Sequence, residues 1–180
     1  MNIILGVTGG IACYKACDLI TGLRATGYNV RVIMTKHAKE FITPMTLSTL
    51  SMHPVMDNMW AERKGYVEHI DVAKWADAFV VYPATANVIA KFANGIADDL
   101  LSTVYLALPK DVKRIVFPAA NTNMIEHPAT IRNIQQLHED NVFVSDTREA
   151  MLACGDRGKG AVLTPRDAVG LINGIVKNKE

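Results

Sequence analysis

Cysteine is scarce in these 180 residues: three, at positions 13, 17 and 154. An odd, low count excludes a disulfide framework of the kind that staples small secreted domains. No cluster of His and Cys has zinc spacing. Cys13 and Cys17, four apart on one expected helix, read as small packing residues. Charge of one sign is missing too. Lys and Arg number 19 against 18 Asp and Glu, a net charge of +1, which gives no attraction to nucleic acid or to an anionic membrane. No apolar run nears the ~18 residues of a membrane span, and the first residues lack the basic and apolar regions of a signal peptide. The expectation is a cytoplasmic protein with no nucleic-acid and no membrane partner. Repeats, low-complexity segments and linkers are absent, so residues 1–180 read as one domain. What the chain has is 49% hydrophobic and 21% charged residues, the balance of a globular protein with a full core.

The opening residues set the pattern. Residues 2–7 are an apolar, β-branched run of strand length. Thr8-Gly9-Gly10 turns the chain, and a helix is expected from Ile11 to about Ala25. Strand, glycine turn and helix together offer backbone N–H groups and a positive dipole end to a phosphate. The turn is neither G-x-G-x-x-G nor a Walker loop. Further strands are expected at 30–34, 78–82, 114–117 and 141–144. Helices are expected at 44–50, 88–93, 98–108, 129–137 and 165–176, with Asp98 and Asp99 in the first turn of the third. Thr35 ends the second strand as an N-cap. Residues 83–87 and 118–124, at two more strand ends, are small and amide-rich. His69 lies between a strand and a helix, and residues 154–160 form a loop punctuated by glycine. The alternation makes the class α/β with a doubly wound parallel sheet. Four strand ends carry Gly, Thr, Ala or Asn, which leaves room for a flat ligand with a phosphate tail, as in a mononucleotide- or flavin-binding protein. The pattern weakens over 51–68, where Met52, Met56, Met59 and Trp60 cover a ligand, a neighbouring subunit or simply the core.

Four blocks in order then carry a resemblance: G-G-I-A-x-Y-K at 9–15, H-I-D at 69–71, P-A-T-A-N at 83–87 and P-A-A-N-T-N-M at 118–124. Together they resemble the homo-oligomeric flavin-containing cysteine decarboxylases over nearly the whole chain. The resemblance implies FMN in a three-layer, Rossmann-like or flavodoxin-like domain. Gly9, Gly10 and Ile11 would meet its phosphate, with Thr35 assisting. Ala84, Thr85, Ala86, Asn87 and Ala119 would lie along the flavin. His69 takes the place of the catalytic base, with Glu68 or Asp71 able to orient its ring. Asn121 takes the place of the residue that holds the substrate carboxylate. A neutral amide suits a group about to leave as carbon dioxide, because it does not stabilise the charge as fully as Arg would. The structural alternative is that Asn121 caps a short helix at 122–125. Ala120, Ile125 and Val88 depart from the family's usual Met, Trp and Thr.

Residues 153–160, A-C-G-D-x-G-x-G, resemble the substrate-covering flap of the coenzyme A branch of that family, here spanning 148–163. On that resemblance Cys154 is the reductive cysteine, and Met124, Ala153, Arg157 and Lys159 are substrate contacts. The implied reaction is decarboxylation of 4′-phosphopantothenoylcysteine to 4′-phosphopantetheine in coenzyme A biosynthesis. Oxidation of the thiol-bearing carbon comes first, with His69 helping to remove a proton. Carbon dioxide then leaves from a carboxylate β to a thiocarbonyl. A hydride returned by the reduced flavin and a proton from Cys154 complete the product, with no net redox change. The alternatives are an oxidative decarboxylase of a peptide C-terminal cysteine, whose relatives lack this cysteine, and a non-catalytic FMN-binding regulatory protein. A flavin prenyltransferase or an acidic flavodoxin-like carrier fits the turn and the charge poorly. The family's trimers and dodecamers imply a homo-oligomer with FMN at the subunit interface, residues 52–60 and 98–108 being candidate contacts.

Overall fold

The computed structural model describes residues 1–59 and 68–177; Trp60 and the Glu68 side chain, both named above, lie outside the described set. Five parallel strands form the sheet: β1 (Asn2–Val7), β2 (Asn29–Met34), β3 (Ala78–Ala84), β4 (Lys113–Pro118) and β5 (Phe143–Val144). Their spatial order is β2-β1-β3-β4-β5, the flavodoxin-like arrangement whose switch point lies between β1 and β3. Ile3, Ile4, Leu5 and Val7 of β1 are all fully buried, as a strand covered on both faces requires. Successive side chains go to opposite layers. Ile3, Leu5 and Val7 join the core beneath α1 (Ala16–Ala25) and α8 (Pro165–Lys177). Ile4 joins the core beneath α3 (Glu68–Trp75), α4 (Ala86–Ala93), α5 (Leu100–Ala107) and α7 (Pro128–Glu139). Among the described residues the remaining α-helices are α2 (Pro44–Ser51), beside β2, and the single turn α6 (Thr122–Ile125). The doubly wound, three-layer expectation holds.

Several boundaries differ from the sequence reading, each for a local reason. The first helix opens as a 3₁₀ segment, Ile11–Lys15, before α1. Asp98 and Asp99 precede α5 rather than sitting in it. Asp99 is its N-cap and forms a reciprocal capping box with Ser102, which satisfies two terminal N–H groups at once. His69 lies in the first turn of α3, not between a strand and a helix. Asp71 is two residues further on, and residues two apart on a helix do not face each other. The glycine-punctuated loop is part of an antiparallel hairpin, β6 (Arg148–Met151) with β7 (Arg157–Ala161). Cys13 is fully buried in the core and Cys17 packs against it, as small helix residues do; burial pushes both thiols above the ordinary range.

Candidate functional site

The carboxyl ends of β1 and β3 are tied together by one side chain. Thr8 is buried; its hydroxyl donates to the Pro83 carbonyl at 2.7 Å and accepts from the Thr85 N–H at 3.1 Å. The Thr85 N–H is therefore spoken for, while its own hydroxyl caps α4 at the Val88 N–H. The Ala119 N–H donates to the Ala84 carbonyl at 2.9 Å, closing the β3 and β4 ends in the same way. Small side chains at these ends leave a cleft of about 410 Å³ between the first turn, the two strand ends and the hairpin. That is within the range of small-molecule sites, roughly 300–1,000 Å³.

Of the residues expected from sequence, Gly10, Ile11, Thr85, Ala119, Asn121, Ala153 and Cys154 line this cleft. Ala84 is buried at the end of β3, next to the lining residues Pro83 and Thr85. Gly9 serves the turn by close approach: a β-carbon there would lie within 3 Å of the His37 backbone. Thr35 stands at the end of β2, its N–H donating to the Val7 carbonyl at 3.0 Å. It is the N-cap of the 3₁₀ segment Lys36–Glu40, but its hydroxyl makes no cap bond. That hydroxyl is buried with no hydrogen-bond partner among the described residues. An orphaned donor beside a glycine turn fits the phosphate end of FMN, and the small residues Ala84, Thr85 and Ala119 fit a planar ring. Ala86 and Asn87 form the first turn of α4, and Asn87 is exposed. Met124 is 50% exposed, and Arg157 and Lys159 are exposed on β7. None of these, nor His69, is among the described lining residues. The helix carrying His69 packs on the opposite face of the sheet, against α5.

Asn121 is where the two readings of one residue meet. Its side-chain Oδ1 accepts from the Asn123 N–H at 2.9 Å and caps α6. Its amide nitrogen donates to Cys154 Sγ at 3.3 Å. The cap fixes the amide so that its NH₂ faces the hairpin, and the alternatives of cap and ligand are two ends of one group. The Cys154 thiol donates in turn to Asp156 Oδ2 at 3.5 Å. An amide donor and a thiol stand together on the cleft wall.

Two charged groups at the site escaped the sequence reading, Lys15 on the cleft wall and Asp156 behind Cys154. Lys15, at the end of the 3₁₀ segment, lines the cleft, and burial, then the Arg148 guanidinium, lower its ammonium below the usual lysine range. It lay in the G-G-I-A-x-Y-K block, which was the available signal, but a lysine on a helix reads as solvated. Asp156 lay in the flap motif, yet nothing in its spacing tells which side chain it meets.

The cleft can be set beside known proteins. The Flavoprotein family model matches residues 1–177. A probable phosphopantothenoylcysteine decarboxylase of Streptococcus mutans is 45% identical over 162 residues, 89% of this chain and 90% of that protein. The coenzyme A biosynthesis bifunctional protein CoaBC of Bacillus subtilis is 47% identical over 171 residues, 94% of this chain. This chain spans only 42% of that bifunctional relative's length. Among solved structures, a PPC decarboxylase mutant complexed with pantothenoylaminoethenethiol superposes with a TM-score of 0.88 at 27% identity, covering 98% of each chain. The FMN-dependent cysteine decarboxylase SpaF superposes with a TM-score of 0.85 at 27% identity, covering 98% of this chain and 97% of that one. A match from the first glycine turn to the last helix, over a fold with its cleft at the flavodoxin-like switch point, leaves one assignment: the chain belongs to the Flavoprotein family.

Proposed function

We propose that this chain catalyses the FMN-dependent decarboxylation of 4′-phosphopantothenoylcysteine to 4′-phosphopantetheine, a step of coenzyme A biosynthesis. The observation that carries it is the Asn121–Cys154 pair. The Asn121 amide donates to the Cys154 sulfur at 3.3 Å across the cleft wall, so a carboxylate binder and a proton donor face the same substrate. The names borne by the Streptococcus relative and the neighbouring decarboxylase structure support the same substrate.

FMN, when bound, supplies a two-electron acceptor for the thiol-bearing carbon and returns the same pair after carbon dioxide has left. Gly10 and Ile11, with the Thr35 hydroxyl, are the groups fitted to its phosphate, and Thr85 and Ala119 to its ring. Asn121 holds the substrate carboxylate by its NH₂ and orients the bond that breaks. Cys154 delivers the proton that completes the saturated product, and Asp156 accepts its S–H and steadies it. Lys15 meets an anionic group in the cleft. His69 takes the proton released as the substrate is oxidised. It is not among the described lining residues of the cleft, so the reading includes a cytoplasmic homo-oligomer, a trimer or a dodecamer, in which a neighbouring copy supplies it.

The test is an anaerobic incubation of the purified yellow protein with 4′-phosphopantothenoylcysteine, read by mass spectrometry. Saturated 4′-phosphopantetheine is expected. Cys154→Ser should still consume substrate but yield the saturated product at least about a hundredfold less, the size of a lost positioned proton donor. Full saturated product from that variant would overturn the role of Cys154. An unsaturated thiol from the parent protein would point instead to oxidative decarboxylation of another cysteine substrate.

A further inference from the structure

We propose that the Thr122 hydroxyl is the positioning group that docks the Cys154 hairpin on the Asn121 segment, and so fixes where Cys154 meets the substrate. The inference rests on the decarboxylase reading above. Thr122 is not among the lining residues of the cleft, so it acts through the hairpin. Its Oγ1 donates to the Lys159 carbonyl at 2.7 Å. Gly158 makes the approach possible, since a β-carbon there would lie 2.5 Å from Thr122 Oγ1. Two residues further on, Gly160 holds φ at +136°, a conformation that side chains rarely adopt, and a β-carbon there would collide with the Ala120 carbonyl. Gly160 in turn accepts from the Ala120 N–H at 3.1 Å.

β7 therefore lies against residues 120–122 nearly backbone to backbone. The turn that carries Cys154 is closed on itself by the Leu152 N–H to the Asp156 carbonyl at 2.8 Å and the Gly155 N–H to the Leu152 carbonyl at 2.9 Å. It rides as a unit on the strand that Thr122 holds. Of the two hydrogen bonds docking β7, the Thr122 bond comes from a side chain, so substitution removes it without touching the backbone. The same segment carries Asn121, whose amide reaches Cys154. One latch thus sets the spacing between carboxylate binder and proton donor.

Thr122→Val keeps the side-chain volume and deletes the donor, Thr122→Ser keeps the donor, and Gly158→Ala presses on the hydroxyl from the hairpin side. Each holoenzyme is given 4′-phosphopantothenoylcysteine anaerobically and its products are quantified, and amide hydrogen exchange over residues 148–161 is followed without substrate. Losing one hydrogen bond should shift the docked-to-undocked ratio about two- to tenfold. Thr122→Val should therefore raise the ratio of unsaturated to saturated product by that factor, hold total substrate consumption, and speed exchange in the hairpin but not in the sheet. Gly158→Ala should act in the same direction, and Thr122→Ser should restore both readouts. An unchanged product ratio with unchanged exchange in Thr122→Val overturns the inference, as does an equal fall in both products. If the parent enzyme makes neither product, the decarboxylase reading fails on its own, and hairpin exchange still decides whether Thr122 docks the strand.

Discussion

The Thr35 hydroxyl is the residue-scale feature that most needs an explanation. A buried polar atom left unpaired costs about 1–3 kcal/mol, and the cap bond that a threonine at this position normally makes is not formed. If the FMN phosphate is its partner, Thr35→Val should raise the dissociation constant for FMN about tenfold, roughly the loss of one hydrogen bond to a charged group. The FMN-free protein should melt at the same temperature or higher, because the variant also removes the orphan. Fluorescence titration of FMN and thermal melting of the apoprotein check the two halves, and unchanged FMN affinity would remove Thr35 from the site. Thr35 was legible in the sequence as a cap position because Thr at a strand end is what caps use. That the cap stays unmade was not legible, because it depends on the rotamer chosen against neighbours distant in the chain. Lys15 escaped for the same kind of reason. Its ammonium is lowered by burial and then by the charge of Arg148, which the chain places there only when the hairpin folds back.

At the scale of elements, α4 and α5 are joined by a charged knot. Lys91 Nζ lies 2.6 Å from Asp98 Oδ1 and 2.8 Å from Asp99 Oδ2, and Asp99 also caps α5 through the Ser102 N–H. Burial alone would raise the Asp99 carboxyl, but the Lys91 ammonium and the Ser102 hydrogen bonds outweigh it and hold it below the ordinary carboxylate range. A depressed carboxylate contributes stability that is present above its unfolded value, about pH 4, and is lost as pH falls through the lower folded value. Asp99→Asn keeps the cap acceptor and removes the charge. It should cost about 1 kcal/mol at pH 7, and the gap to the parent should close as pH drops below about 4. Urea denaturation across that range measures both. No deficit at pH 7 would mean that the cap, which asparagine keeps, and not the charge, is what the aspartate supplies. The central strands and their order of alternation with helices were legible because β1 and β3 are apolar on both faces, which only a doubly covered sheet tolerates. The β6–β7 hairpin was not, since Arg148–Met151 and Arg157–Ala161 carry no apolar alternation; its strands are held by their ladder and by docking on residues 120–122.

The whole molecule leaves its cleft rimmed with apolar side chains in contact with solvent: Ile11 is 58% exposed, Tyr14 58% and Met151 71%. The same cleft does not include His69, whose helix belongs to the core on the other side of the sheet. Both facts fit the homo-oligomer proposed above, in which a second copy would cover the rim and bring its own His69 to the Asn121 and Cys154 of the first. That arrangement makes a prediction that a self-contained site does not. His69→Ala and Asn121→Ala chains, each inactive alone, are coexpressed in equal amount. A shared site is intact when its histidine comes from an Asn121→Ala chain and its asparagine from a His69→Ala chain, so random assembly restores about a quarter of the sites. Decarboxylation near that fraction of the parent rate, from an assembly whose sedimentation matches a trimer or a dodecamer, establishes the neighbour's histidine in the site. A site drawing both residues from one chain gives no recovery at any mixing ratio, and that result would return the base to a residue of the cleft itself.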